Sequence, residues 1–225
     1  MTKRGLLMRV MEGTYFIIPY DRDAETFMPD WHLLAQYLVR DAKYYIGYFS
    51  ALQIYSLTTQ PSLKEQIVVD RQIKPSILKV KDIPFQFIYH NKKHFFGGEK
   101  KWIDSYNKVI CSSLEKTIID CLFKPDYAGG IIEIVKAINK AKDKIDYNML
   151  FLYAKKFHSQ AAIKRLGFLL ELLKIQHPVI AKLQRLRTNS FELLEPSHPK
   201  KGKTNFRWAI QQNIDTDSII SPLYT

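Results

Sequence analysis

The chain has 225 residues, 46% of them hydrophobic, which is enough for a sizeable core in one large domain or in one domain with an appendage. A net charge of +12 and a pI near 9.5 point to an acidic partner, either nucleic acid or an acidic protein surface. No apolar run reaches the roughly eighteen residues that would span a bilayer, and the N-terminus lacks a signal-peptide core, so the expectation is a cytoplasmic protein with no membrane partner. The two cysteines, Cys111 and Cys121, fit a reducing compartment as buried thiols. Without a Cys-x-x-Cys or a close Cys/His pair, no zinc site is expected.

The first nineteen residues read as a hairpin, with strands over 6–10 and 14–18 around a turn at Met11-Glu12-Gly13, where glycine takes the positive φ that a hairpin turn favours. Lys3, Arg4 and Arg9 decorate it. After a polar linker, Asp30 is placed to cap a helix over 31–39 whose apolar face carries Trp31, Leu34 and Leu38, with His32 off that stripe in solvent. The aromatic stretch 44–60 reads as a helix, because Tyr48, Leu52 and Tyr55 share a face and Pro61-Ser62 stop it. Ser50 has no histidine or acid arranged beside it, so it reads as a packed small residue and not as a nucleophile.

From 64 to 110 the pattern turns to short β-branched and aromatic segments, with strands predicted over 66–69, 76–80, 85–89, 94–96 and 109–110. His90 and His94 flank a turn at Asn91-Lys92-Lys93 with no carboxylate, which is a poor metal site. Gly97-Gly98 should break the strand. Ser112 or Ser113 caps the next helix, and Ser112 with Glu115 has the spacing of a capping box. Glu115 and Asp120, five residues apart, diverge by about 140° on a helix and cannot easily share an ion.

Helices are then expected over 131–141, 147–157 (capped by Asp146), 161–173 and 179–187. Gly167 inside the third of them costs about 1 kcal/mol against Ala, which implies that another backbone packs closely there. Arg165 and Glu171 fall on different faces and each needs a partner from elsewhere or water. A basic loop over 195–204 leads into a strand over 205–210. Residues 154–207 carry twelve Lys/Arg against Glu171, Glu192 and Glu195, so this part holds a net +9 of the charge.

Several blocks together resemble the AbiEi family of antitoxins and transcriptional regulators of type IV toxin–antitoxin (abortive infection) systems. They are Lys3-Arg-Gly-Leu-Leu-x-Arg9-Val through Gly13-x-Tyr15-x-Ile17-x-Pro19; Tyr45-x-Gly47-Tyr-Phe-Ser-Ala-Leu52 ending Leu57-Thr-x-Gln60; Val109 to Asp120 with Ser-x-Glu-Lys-Thr-Ile-x-Asp, followed by Pro125-x-x-x-Gly129-Gly130; Arg165-Leu-Gly-Phe-Leu-Leu-Glu171; and Leu194-x-Pro196, a basic loop, Arg207-Trp208 and Asn213. In that resemblance, residues 1–19 correspond to the wing hairpin of a winged helix-turn-helix domain whose helices are missing here, as in a truncated or alternatively started protein. Residues 20–225 correspond to the antitoxin domain, with a sheet-containing part at about 44–122, a helical part at about 129–187 and a basic segment 188–225. The implied function is an antitoxin and DNA-associated regulator that counteracts a nucleotidyltransferase-like toxin in phage defence. Operator DNA would be bound through the missing helices.

The residues themselves name no enzyme. There is no phosphate-binding Gly-x-x-x-x-Gly-Lys loop, dinucleotide fingerprint, His-Glu-x-x-His or Gly-x-Ser-x-Gly, and no Gly-Ser with paired aspartates as a nucleotidyltransferase requires. No cofactor and no metal are expected. The nucleic-acid candidates are Lys3, Arg4, Arg9, Lys182, Arg185, Arg187, Lys200, Lys201, Lys203 and Arg207, and a non-specific nucleic-acid-binding module is the alternative function. A metal-dependent nuclease built on Asp70, Asp82 and Lys79 or Lys81 is a weaker one. The expected architecture is α+β: an N-terminal hairpin, a small, mostly antiparallel sheet with flanking helices, and a C-terminal helical region.

Overall fold

A computed structural model of the chain describes residues 6–58 and 60–224. The chain folds into two units that interleave along the sequence: Met1–Ile46 with Ser62–Cys111, and Gly47–Pro61 with Ser112–Thr225. The class is α+β, with a hairpin first, a six-stranded sheet next and most of the helices later.

In the first unit, β1 (Leu7–Met11) and β2 (Thr14–Ile17) pair antiparallel with Leu7 opposite Ile17, and Gly13 turns the chain at φ +74°. Met8, Val10 and Ile18 are buried while Arg9, Tyr15 and Ile17 are exposed, the period-2 pattern of a half-buried ribbon. Helix α1 (Trp31–Leu38) begins where Asp30 accepts a hydrogen bond from the His32 amide at 2.8 Å. His32 is not in solvent: it flanks Ala35 one turn on, lies within the buried face and meets the wholly buried Glu65, Nδ1 to Oε1 2.9 Å.

The sheet consists of β3 (Tyr44–Ile46), β4 (Glu65–Val69), β5 (Ile77–Val80), β6 (Ile83–Tyr89), β7 (Gly98–Trp102) and β8 (Lys108–Ser112), in the order β5-β6-β4-β3-β8-β7. Directions are mixed: β5–β6 and β3–β4 run antiparallel, β4–β6 and β3–β8 parallel. Every residue of β4 is buried, as befits an interior strand covered on both faces.

Three expectations fail in this sheet. Residues 44–46 are a strand and only Tyr48–Ile54 is helical, because the apolar triplet pairs with β4 on one side and β8 on the other. Residues 94–96 are not a strand: the Asn91 side chain accepts from the amides of Lys93 and His94 and bends the chain instead. Gly98 opens β7 where a strand break was expected. A Cβ there would sit 3.3 Å from Tyr45 Cβ and from Ile110 Cγ2, so its lack of a side chain lets the neighbouring strands close in.

The second unit contains α2 (Tyr48–Ile54), α3 (Leu114–Phe123), α4 (Gly130–Ala141), α5 (Tyr147–Phe157), α6 (Gln160–Leu172) and α7 (Val179–Leu186). A small sheet follows, formed by β9 (Glu192–Leu193), β10 (Lys203–Asn205) and β11 (Ile210–Gln212), in which β11 lies between an antiparallel β10 and a parallel β9; α8 (Thr216–Ile220) comes last. The predicted strand over 205–210 is instead two strands and the tight turn between them.

Helix α6 is buried all round from Ala162 to Leu170, as a central helix must be when α3, α5, α7 and β9 pack on it. Side-chain caps from Ser113, Asp146 and Ser159 satisfy the first-turn amides of α3, α5 and α6. Ser113, not Ser112, is the α3 cap, and no capping box forms: the Glu115 carboxylate reaches forward to the Asp146 amide at 3.1 Å and so ties α3 to the start of α5. Asp120 bonds the Lys116 ammonium one turn back, in an ion pair with no solvent exposure. Both cysteines are buried, and burial pushes the Cys121 thiol well above its ordinary range.

Candidate nucleic-acid interface

The C-terminal third of the chain assembles around α6. Gly167 faces the ring of Trp208 so closely that a Cβ would lie 2.0 Å from Cζ3, so the close neighbour is an indole and not the backbone that the sequence implied. Trp208 Nε1 donates to Glu171 Oε2 at 2.7 Å, and Arg207 Nε donates to the other oxygen at 2.6 Å. One carboxylate at the end of α6 thus holds both residues of the Arg-Trp pair.

Arg165, on another face of α6, is almost wholly buried. Its Nε and Nη2 donate to the Leu193 carbonyl at 3.0 and 2.8 Å, and its Nη1 donates to the Leu122 carbonyl in the last turn of α3 at 2.7 Å. A guanidinium suits this position because it can serve two segments at once and oppose the partial negative charge of a helix C-terminus. Burial lowers its pKa from the usual arginine value, opposed by the charges of Glu192, Glu195 and Asp126.

The loop after β9 is pinned as firmly. Glu195 is buried; its Oε2 accepts from the Ile131 amide at 2.8 Å, at the start of α4, and its Oε1 accepts from the Ser197 hydroxyl at 2.9 Å. Gly130, at φ +86°, leaves the room that this carboxylate occupies, since a Cβ there would be 2.8 Å from Oε2. Asn213 accepts from the Glu195 amide at 2.9 Å and donates to the carbonyls of Glu195, His198 and Pro199. Gln211 donates to the Lys200 carbonyl at 2.9 Å. Gly202 runs against β11, where a Cβ would be 2.1 Å from the Gln212 carbonyl oxygen. The basic loop is therefore held along its length, and it presents Lys200, Lys201 and Lys203, all exposed, on a fixed frame.

The other expected cations distribute as follows. Lys182 and Arg185 are exposed on α7, three residues apart and so on one side of the helix, while Val179 and Leu183 face inward; the Lys182 ammonium lies 5.7 Å from the Phe151 ring centroid. Arg187, the residue closing α7, is half-buried. Arg207 is exposed but already engaged with Glu171. Arg9 is exposed on β1 in the first unit, and Lys3 and Arg4 lie outside the described residues. Asn213, Gln211 and Gly202 carry no charge and no composition signal. Of these, Asn213 and Gly202, the glycine of the basic loop, fall within the blocks of the family resemblance, and Gln211 does not.

The carboxylates of the nuclease alternative do not meet. Asp70 follows β4, level with His90, whereas Asp82 precedes β6; parallel pairing of Glu65 with Phe85 and Val69 with Tyr89 puts them at opposite ends of the sheet. Eight residues of strand separate those levels, roughly 25 Å. Lys81 is occupied as well, donating to the carbonyls of Glu25 and Phe27. Among the described residues no three metal-ligating side chains gather, and no helix is long and apolar enough to cross a membrane.

No protein-family profile and no curated protein matches the chain. Among solved structures, the RV2827C protein from Mycobacterium tuberculosis has a similar fold, with a TM-score of 0.70 at 14% sequence identity over 98% of this chain and 79% of that one. At that level of identity the likeness shows a shared fold.

Proposed function

We propose that this chain is the antitoxin of a type IV toxin–antitoxin pair, counteracting a nucleotidyltransferase-like toxin, and that it is a nucleic-acid-associated regulator whose contacts lie on the basic C-terminal surface. The observation that carries the reading is the convergence of blocks far apart in sequence on one interlocked assembly: Gly129-Gly130 with Glu195, Arg165 with Leu122 and Leu193, Gly167 and Glu171 with Arg207-Trp208, and Asn213 with the loop after Pro196. Gly129-Gly130, Arg165, Gly167, Glu171, Arg207-Trp208 and Asn213 belong to the blocks on which the resemblance to AbiEi-like antitoxins rests, and their contacts with one another and with Leu122, Leu193 and Glu195 give a physical reason for their occurring together. The assembly holds up a cationic loop without using its lysines.

Co-expression with an adjacent nucleotidyltransferase-like toxin tests the reading. Growth should resume when this chain is supplied, and continued arrest in the presence of soluble, folded protein would remove the antitoxin assignment. The fixed basic loop also favours a second reading, a nucleic-acid-binding module without a toxin partner. DNA or RNA retention without growth rescue would select it.

A further inference from the structure

Lys164 enters α6 next to Arg165, has no exposed surface, and is used by nothing described so far. Its ammonium donates to the Ser190 carbonyl, to Ser190 Oγ at 3.0 Å and to Thr188 Oγ1 at 3.2 Å. All three of its protons are therefore spent on neutral oxygens, and among the described residues no carboxylate lies within ion-pair distance of it. The cover is thin, since Thr188 and Ser190 are themselves exposed.

The two hydroxyls accept from Lys164 and bond one another at 2.9 Å. That contact uses one of their two hydrogens, and the other has no acceptor among the described residues. Gln160 fixes the segment by accepting from the Thr188 amide at 2.8 Å and donating to the Leu186 carbonyl at 3.1 Å. Arg187 completes the cluster: its Nη1 donates to Asn189 Oδ1 at 3.2 Å, and its Nε is enclosed with no acceptor. Two cations and a spare hydroxyl hydrogen thus gather in four consecutive residues and the helix beneath them. Glu192 is a nearby negative charge, and burial together with the charge of Arg187 lowers the Lys164 pKa despite it.

We propose that Lys164, Arg187, Thr188 and Ser190 form a seat for a phosphate group, with the hydroxyls and the Arg187 guanidinium as direct donors and Lys164 as the buried charge that orients them. The proposal deepens the nucleic-acid reading above and rests on it only for the source of the phosphate, which is either a nucleic-acid backbone or free orthophosphate.

The test is titration of the full chain with orthophosphate and, separately, with a duplex oligonucleotide at fixed salt, using Arg187→Gln and the Thr188→Ala/Ser190→Ala double variant, with Lys155→Gln as a charge control on the exposed face of α5. Lys164→Met is informative only if it folds, and the surface variants make the test independent of it. Saturable orthophosphate binding that weakens about tenfold in both seat variants supports the seat with free phosphate as ligand. An equal loss for the oligonucleotide, larger than that of Lys155→Gln, supports a backbone phosphate. If neither ligand distinguishes the seat variants from Lys155→Gln, the proposal is overturned. Phosphate binding that persists where toxin co-expression gives no rescue counts for the seat and against the antitoxin reading.

Discussion

A methyl group at position 167 would meet the Trp208 ring 2.0 Å away, so Gly167→Ala sets two effects against each other. Helix propensity favours alanine by about 1 kcal/mol, while forcing a methyl into a filled contact typically costs about 1–3 kcal/mol and would push the indole off Glu171. The clash should win. The variant is expected to unfold at lower denaturant with altered tryptophan fluorescence, and a stabilised protein would show that the ring yields freely.

A second residue-scale prediction concerns His32. Burial pushes its pKa down, but the hydrogen bond and charge of Glu65, with Asp30 adding, outweigh this and leave the pKa raised above 6.5. A raised pKa stabilises the fold fully below the unfolded value, and the contribution fades as pH rises through the folded one. The melting temperature of the wild type should therefore fall, relative to His32→Asn, on going from about pH 6 to pH 8. A pH-independent difference between the two proteins would contradict the assignment.

The Lys116–Asp120 pair lies within α3 with no exposure on either side chain. Breaking it with Asp120→Asn removes the buried carboxylate that pairs with the ammonium beside the Phe157 ring and should cost about 3–5 kcal/mol, whereas Lys116→Met with Asp120→Leu should recover most of that loss in a denaturation series. Recovery is expected because a packed apolar pair avoids the desolvation that both charges undergo. Equal losses in the single and double variants would assign the pair a role other than charge compensation.

Asn213 makes a separate element-scale prediction. Asn213→Ala removes no charge but frees the loop that carries Lys200, Lys201 and Lys203, so affinity for duplex DNA should drop several-fold with its salt dependence little changed. Unchanged affinity would mean that the loop needs no fixing.

The ease of reading these elements from sequence followed their periodicity. Helices α4 to α7 repeat apolar residues at helical spacing, α5 and α6 with side-chain caps as well, and they form within one or two residues of the expected limits. Strand β3 was absorbed into the helical pattern that begins at Tyr48, and β7, whose Glu99, Lys100 and Trp102 are exposed, has no apolar alternation to betray it.

At the scale of the molecule, what sequence order hides is partnership. His32 finds Glu65 across 33 positions, Arg165 finds Leu122 across 43, and Trp208 finds Glu171 across 37. No local pattern encodes such distances, which is why the basic residues could be named in advance and the frame that holds them could not. Topology also decides against the nuclease constellation, since parallel pairing of β4 with β6 carries Asp70 and Asp82 to opposite ends of the sheet.

The central claim is that the fixed C-terminal loop delivers its lysines to nucleic-acid phosphates, and its most direct test is the slope of log affinity against log salt for duplex DNA. Each phosphate neutralised contributes about 0.9 to that slope, so replacing Lys200, Lys201 and Lys203 together with glutamine should make it shallower by roughly 2 to 3 while the protein stays folded. An identical slope in the wild type and the triple variant, or binding that does not weaken with salt, would contradict the account.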